Sequence, residues 1–100
     1  MNPTSRDKVT LKFLGVFKKA YGNSQISLEI KRNEKLGDVI KKISETSQNL
    51  RRILIDPELE TPLSNTVILV NGVEVHLLKG LDTELKDKDE IVFIPVIHGG

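Results

Sequence analysis

Glu90-Ile91-Val92-Phe93-Ile94-Pro95-Val96-Ile97-His98-Gly99-Gly100 closes a chain of 100 residues. From Ile91 to Ile97 the segment carries no charge and no hydrogen-bonding side chain. A strand that is apolar in both phases must be covered on both sides, so this stretch belongs in the middle of a sheet rather than at its edge. Pro95 has no N–H to donate, so full pairing should stop close to it. The two final glycines add a second property. Without side chains, a terminal Gly-Gly can thread a narrow channel and present its carboxylate to a partner's active site. At a glycine usage of roughly 7% per position, the pair has a chance frequency of about 0.5%.

Working outward, the neighbours of that strand can be read by period. Val9, Leu11 and Phe13 alternate with Thr10 and Lys12, which predicts a strand from about Lys8 to Val16. Ile26, Leu28 and Ile30 alternate in the same way. The FKKAYG connection, with Gly22 as a turn residue, makes the two strands an antiparallel hairpin. At Leu36 the period changes. Leu36, Val39, Ile40 and Ile43 share one helical face, opposite Asp38, Lys41, Lys42 and Glu45. Asp38 suits the first turn of that helix, although Lys35 stands where a capping side chain is expected. Leu50, Ile53, Leu54 and Ile55 form a further apolar cluster compatible with a short helical turn. Residues 56–65, with Pro57 and Pro62, read as an exposed loop. A strand entering at Val67 reverses at Asn71-Gly72, since both residues tolerate positive φ. A polar stretch from Lys79, interrupted by Leu81 and Leu85, leads to the last strand. One principal helix on a mixed sheet of four to five strands is an α+β roll, in which a crossover through the helix makes the next strand parallel to one strand of the hairpin. Residues 1–8 are expected to form a flexible extension, 9–96 the single domain and 97–100 a flexible tail.

Composition removes several function classes. With 15 Lys and Arg against 14 Asp and Glu, the net charge is +1, so no global field marks a nucleic-acid or membrane binder. Lys18, Lys19, Arg51 and Arg52 belong to a locally basic first half. The four aromatic residues are not interleaved with basic ones in the manner of RNA-binding surfaces. No direct nucleic-acid partner is expected. No run approaches the roughly 18 apolar residues of a membrane span, and MNPTSRDK lacks a secretory apolar stretch, so a soluble, cytoplasmic protein without a membrane partner is expected. There is no Cys, and His76 and His98 are the only histidines, which excludes thiol catalysis, disulfides and histidine-rich metal sites. His76 reads as structural. No nucleophile elbow, HExxH or phosphate-binding glycine loop occurs. No catalytic residue, bound cofactor or metal ligand is therefore assigned, which leaves the chain end itself as the candidate reactive group.

The stretch from Val9 to Gly100 resembles the β-grasp, ubiquitin-like sulfur-carrier family, which includes the molybdopterin synthase small subunit and the ubiquitin-related modifier. The resemblance rests on VTLKFLGVFKKAYG, LGDVIKKI, VILVNG, GLDTELKDKDEIVFIP and the final Gly-Gly, in that order. It implies a β-grasp roll and a protein that is not itself an enzyme. An activating enzyme, using ATP and Mg²⁺, would adenylate the carboxylate of Gly100. Sulfur transfer would then give a thiocarboxylate, a softer and better nucleophile than a carboxylate oxygen. That group could serve tRNA thiolation or a molybdopterin precursor held by the synthase large subunit. Alternatively, Gly100 would be joined to lysines of target proteins. Gly99 and His98 would be read by the activating enzyme. His98 before Gly-Gly looks more like the ubiquitin-related modifier, whereas many molybdopterin synthase subunits end differently. Lys88 departs from the family where many members carry Gly, so that turn needs another geometry or a strained lysine. A binding module sharing only the fold is the reading of another class. Leu14, Val92 and Ile94 alternate away from Phe13, Ile91 and Phe93, so one set should face the helix and the other form an apolar docking surface.

Overall fold

In a computed structural model, residues 7–56, 58 and 66–96 are described. The hairpin strands are β1 (Asp7–Phe13) and β2 (Gln25–Ile30), antiparallel with Asp7 opposite Ile30 and Lys12 opposite Gln25. Asp7 and Lys8 are thus part of the sheet rather than of an N-terminal extension, and β1 ends at Phe13 instead of Val16. What ends it is a helix absent from the periodicity reading, α1 (Val16–Tyr21). Gly22 is the left-handed C-cap of this helix, φ 95°, and donates its N–H to the Lys18 carbonyl. Gly22 is thus a helix stop rather than a turn between the two strands. Phe17 is buried under α1, and Tyr21 packs against Phe13 with ring centroids 4.8 Å apart.

The amphipathic segment forms α2 (Leu36–Thr46), which buries Leu36, Val39, Ile40 and Ile43. Lys35 gives it no side-chain cap, as its sequence implies. Its start is tied down from outside: Leu36 N–H donates to the Thr83 carbonyl at 2.8 Å, and Leu85 N–H to the Glu34 carbonyl at 2.8 Å. The second apolar cluster is α3 (Gln48–Leu54), opened by Ser47, whose hydroxyl accepts from Leu50 N–H. Three helices therefore share the covering role, with α2 the longest.

β3 (Thr66–Val70) and the short β4 (Val73–Glu74) join through Asn71 and Gly72, φ 52° and 82°, the tight reversal expected of Asn-Gly. Single-turn 3₁₀ segments at Val75–Leu77 and Gly80–Asp82 follow, with His76 exposed on the first. His76 is thus a surface residue. β5 (Glu90–Pro95) completes a five-stranded sheet in the order β2-β1-β5-β3-β4. β5 is central and ends at Pro95, as its composition requires. Its pairing with β1 is parallel and with β3 antiparallel. β3 runs in the direction of β2 but does not touch it, so the strand that lies parallel beside the hairpin is β5 rather than the one after the helix. Residues 57 and 59–65 of the acidic loop lie outside the described residues.

One core joins the sheet and the helices. Val9, Leu11, Phe13, Ile68, Val70, Ile91 and Phe93 point inward beneath α2 and α3, with Phe13 and Phe93 stacked at 5.4 Å between centroids. Leu50, Leu54 and Leu85 are fully buried in it. Five strands with a crossing helix and the last strand between the first and third make this an α+β β-grasp fold.

Candidate functional site: the end of the central strand and the open sheet face

β5 carries the chain from the exposed turn at Lys86–Asp89 to the C-terminal end of the sheet. The turn is built by its own acids. Asp89 accepts from Lys86 N–H and from the Asn71 side-chain amide, both at 2.8 Å, while Asn71 Oδ1 accepts from Glu90 N–H at 2.9 Å. Lys88 takes φ 72°, so the strained lysine is what replaces the family's glycine here. At the other end Pro95 lies opposite Thr66, and its ring packs on Gly15. A Cβ on Gly15 would come within 3.0 Å of Pro95 Cγ, and φ there is +56°. Gly15, the residue before α1, therefore packs directly on the end of β5. His98, Gly99 and Gly100 lie outside the described residues.

The phase of the sheet is decided in favour of Phe13, Ile91 and Phe93 as the core set. Val92 and Ile94 point to the opposite, helix-free face and are half-buried; Leu14, next in the alternation, is 45% exposed. Register enlarges this face beyond the residues read from sequence. Leu69 lies opposite Val92, and Val67 opposite Ile94. The four form an apolar square on the two central strands. Alternation in VILV could have pointed to Val67 and Leu69, but their neighbours depend on which strand sits beside β3. The square is bordered by polar groups: Lys12 lies opposite Val92, Glu74 opposite Leu69, and Lys12 pairs with Glu90 at 2.8 Å. That ion pair is solvent-exposed and worth little in stability, so its effect is to frame the patch.

The concave places are shallow. One hollow of about 260 Å³ lies between α2, α3 and Leu81, lined by Ile40, Lys41, Ser44 and Arg51 among others. The Ser44 hydroxyl in it is buried and makes no hydrogen bond with another described residue. No group of three His, Cys, Asp or Glu side chains able to hold a metal occurs among the described residues. No helix among them is long and apolar enough to cross a membrane. The geometry offers two working parts, an open apolar sheet face and a strand that delivers the C-terminal segment from the centre of the fold.

Such a fold, leading to a terminal Gly-Gly, defines the class of ubiquitin-like sulfur carriers and protein modifiers. Residues 11–100 match the ThiS family, and the chain belongs to that family. It is 29% identical over 93 residues to small archaeal modifier protein 3 of Haloferax volcanii, covering 93% of this chain and 99% of that one. Its structure superposes on that of small archaeal modifier protein 1 from Methanosarcina acetivorans with a TM-score of 0.83 and 28% identity, covering 95% and 98% of the two chains. A ubiquitin-related modifier 1 homolog of Drosophila willistoni is 44% identical over 48 residues, 44% of this chain and 48% of that one.

Proposed function

We propose that this protein works as a co-substrate whose Gly100 carboxylate is activated and then carries sulfur or becomes joined to a lysine. The supporting observation is the central β5 leading into Val96-Ile97-His98-Gly99-Gly100, in a chain similar over nearly its full length to an archaeal modifier protein. An activating enzyme attaches AMP to the Gly100 carboxylate, releasing pyrophosphate from ATP with Mg²⁺ in the enzyme's own site. A persulfide of a sulfur donor then attacks the acyl carbon and AMP leaves; a second thiol cleaves the resulting acyl disulfide, forming a disulfide with the donor and releasing the thiocarboxylate. Its sulfur attacks an activated tRNA uridine carbon, the activating group leaves, and water cleaves the acyl–sulfur bond to return the Gly100 carboxylate. When a lysine amine attacks instead, AMP leaves and an isopeptide bond forms. The name of the Haloferax relative favours keeping this second fate beside the first. Gly99 and His98 are read by the activating enzyme as the tail enters its channel, and the Val67, Leu69, Val92 and Ile94 face docks beside that channel.

Intact mass of the protein from its native host tests this. A gain of about 16 Da, alkylated by iodoacetamide in a chain with no Cys, is expected from exchange of a carboxylate oxygen for a nucleophilic sulfur. Deleting Gly100, or adding a residue after it, should abolish both this species and higher-mass conjugates. An unmodified mass with no conjugates, in cells expressing the activating enzyme, would overturn the proposal.

A further inference from the structure

The region beside the end of β5 has a charge character of its own. The chain leaves the sheet at Pro95 against Gly15, immediately before α1, and α1 packs on both β5 and α3. Any protein that takes the tail into a channel must therefore meet what flanks this point. On the helix side α1, VFKKAY, flanks it directly and α3, QNLRRIL, packs on α1; together they carry four cations and no carboxylate. Lys18, Lys19 and Arg52 are exposed, and none of the three forms an ion pair with another described residue. The nearest acid in sequence, Asp56, follows the end of α3. Leu14 and Val16, just ahead of Lys18 in the chain, are 45% and 55% exposed. Elsewhere cations stand among acids: Lys12 pairs with Glu90, Lys35 with Asp82 and Lys42 with Glu34, and Lys31 and Lys41 line a hollow together with Asp38 and Glu45.

Building on the reading of Gly100 as an activated terminus, we infer that the α1–α3 flank is a second docking element, and that it fits a carboxylate-rich rim around the channel mouth of the activating enzyme. The exposed Leu14 and Val16 supply the dry contact, and the cations steer encounter and set orientation. RNA fits the same charge less well. Phe17 is buried and Tyr21 packs against Phe13, so neither helix offers an aromatic face for base stacking.

The test is ATP–pyrophosphate exchange by the activating enzyme as the concentration of this protein is varied. For wild type, KM should rise several-fold as NaCl is raised from about 50 to about 500 mM, because screening shortens the range of attraction. Lys18→Glu/Lys19→Glu should raise KM at low salt roughly tenfold with kcat unchanged, and should flatten the salt dependence. The neutral Lys18→Gln/Lys19→Gln should give an intermediate KM. Lys8→Glu/Lys86→Glu imposes the same change of net charge at the opposite end of β5 and should leave KM within about twofold of wild type. Equal KM shifts in the two Glu pairs, or no shift in either, would overturn the inference while leaving the activated terminus intact. So would unchanged kinetics together with loss of binding to a labelled single-stranded RNA in the Lys18→Glu/Lys19→Glu protein. Absence of any exchange with wild type would overturn the reading of Gly100 itself, and the inference with it.

Discussion

Glu34 holds the connection between β2 and α2 by four separate contacts. Its carboxylate accepts from Lys31 N–H at 2.8 Å and meets Lys42 Nζ at 2.9 Å; its own N–H donates to the Lys31 carbonyl, and its carbonyl receives Leu85 N–H. Burial of the side chain, 8% exposed, would push the carboxyl pKa upward, but the Lys31 bond and the Lys42 ammonium outweigh it, and the pKa falls below the ordinary 4.5. Because the folded value is the lower one, the stabilisation is fully present above the unfolded pKa and is lost as pH falls through the folded value. Lys42→Ala should therefore lower stability by about 1 kcal/mol at pH 7, discounted for the exposure of the lysine. The deficit should shrink as pH falls through the folded pKa, which lies below the ordinary 4.5, and Glu34 becomes protonated. Urea denaturation at pH 7 and through the acid range measures both. Neither partner was marked in the sequence, because the residues lie eight apart and only the turn from β2 into α2 brings them together.

Among the elements, the strands and α2 were legible because each repeats its period several times, whereas α1 was hidden by its length. Its six residues offer only Phe17 and Tyr21 as an apolar face, and the nearby Gly22 fits a turn as well as a helix stop. α3 showed an apolar cluster without a clear period. What makes it a helix is local chemistry at its start: Ser47 is extended, φ −147° and ψ 107°, and its hydroxyl accepts from Leu50 N–H at 3.2 Å. Ser47→Ala should cost about 1 kcal/mol by thermal or urea unfolding. Ser47→Asp should restore most of it, since a carboxylate serves the same donor and suits the positive end of the helix. Failure of Asp to rescue would mean that packing of Leu50 and Leu54 alone fixes α3.

Over the whole molecule, the two faces of the sheet divide stability from recognition. Residues such as Phe93 and Leu11 are fully buried, and truncating them opens cavities that cost several kcal/mol. Val92 and Leu69 are equally central in the sheet but lie on the open face. Val92→Thr keeps the β-branched shape and should change stability by no more than about 1 kcal/mol. It should nevertheless raise KM in pyrophosphate exchange, more so when combined with Leu69→Thr. Unchanged KM with a folded double variant would remove this face from the docking surface. The choice of face follows from which side the helices cover, which periodicity leaves open because inner and outer positions alternate alike in IVFIP.

The sequence by itself determined that β5 is central, that its pairing ends at Pro95, that Asn71-Gly72 reverses the chain, and that α2 buries Leu36, Val39, Ile40 and Ile43. Each of these follows from a residue's own chemistry or from a short repeat. Only the tertiary structure decided that β5 runs parallel beside β1, that Val67 and Leu69 join Val92 and Ile94, and that α1 sits at the end of β5 with α3 packed on it. These are pairings between distant segments, and their register is set by how three helices fit over one sheet, a constraint that no local window of sequence contains.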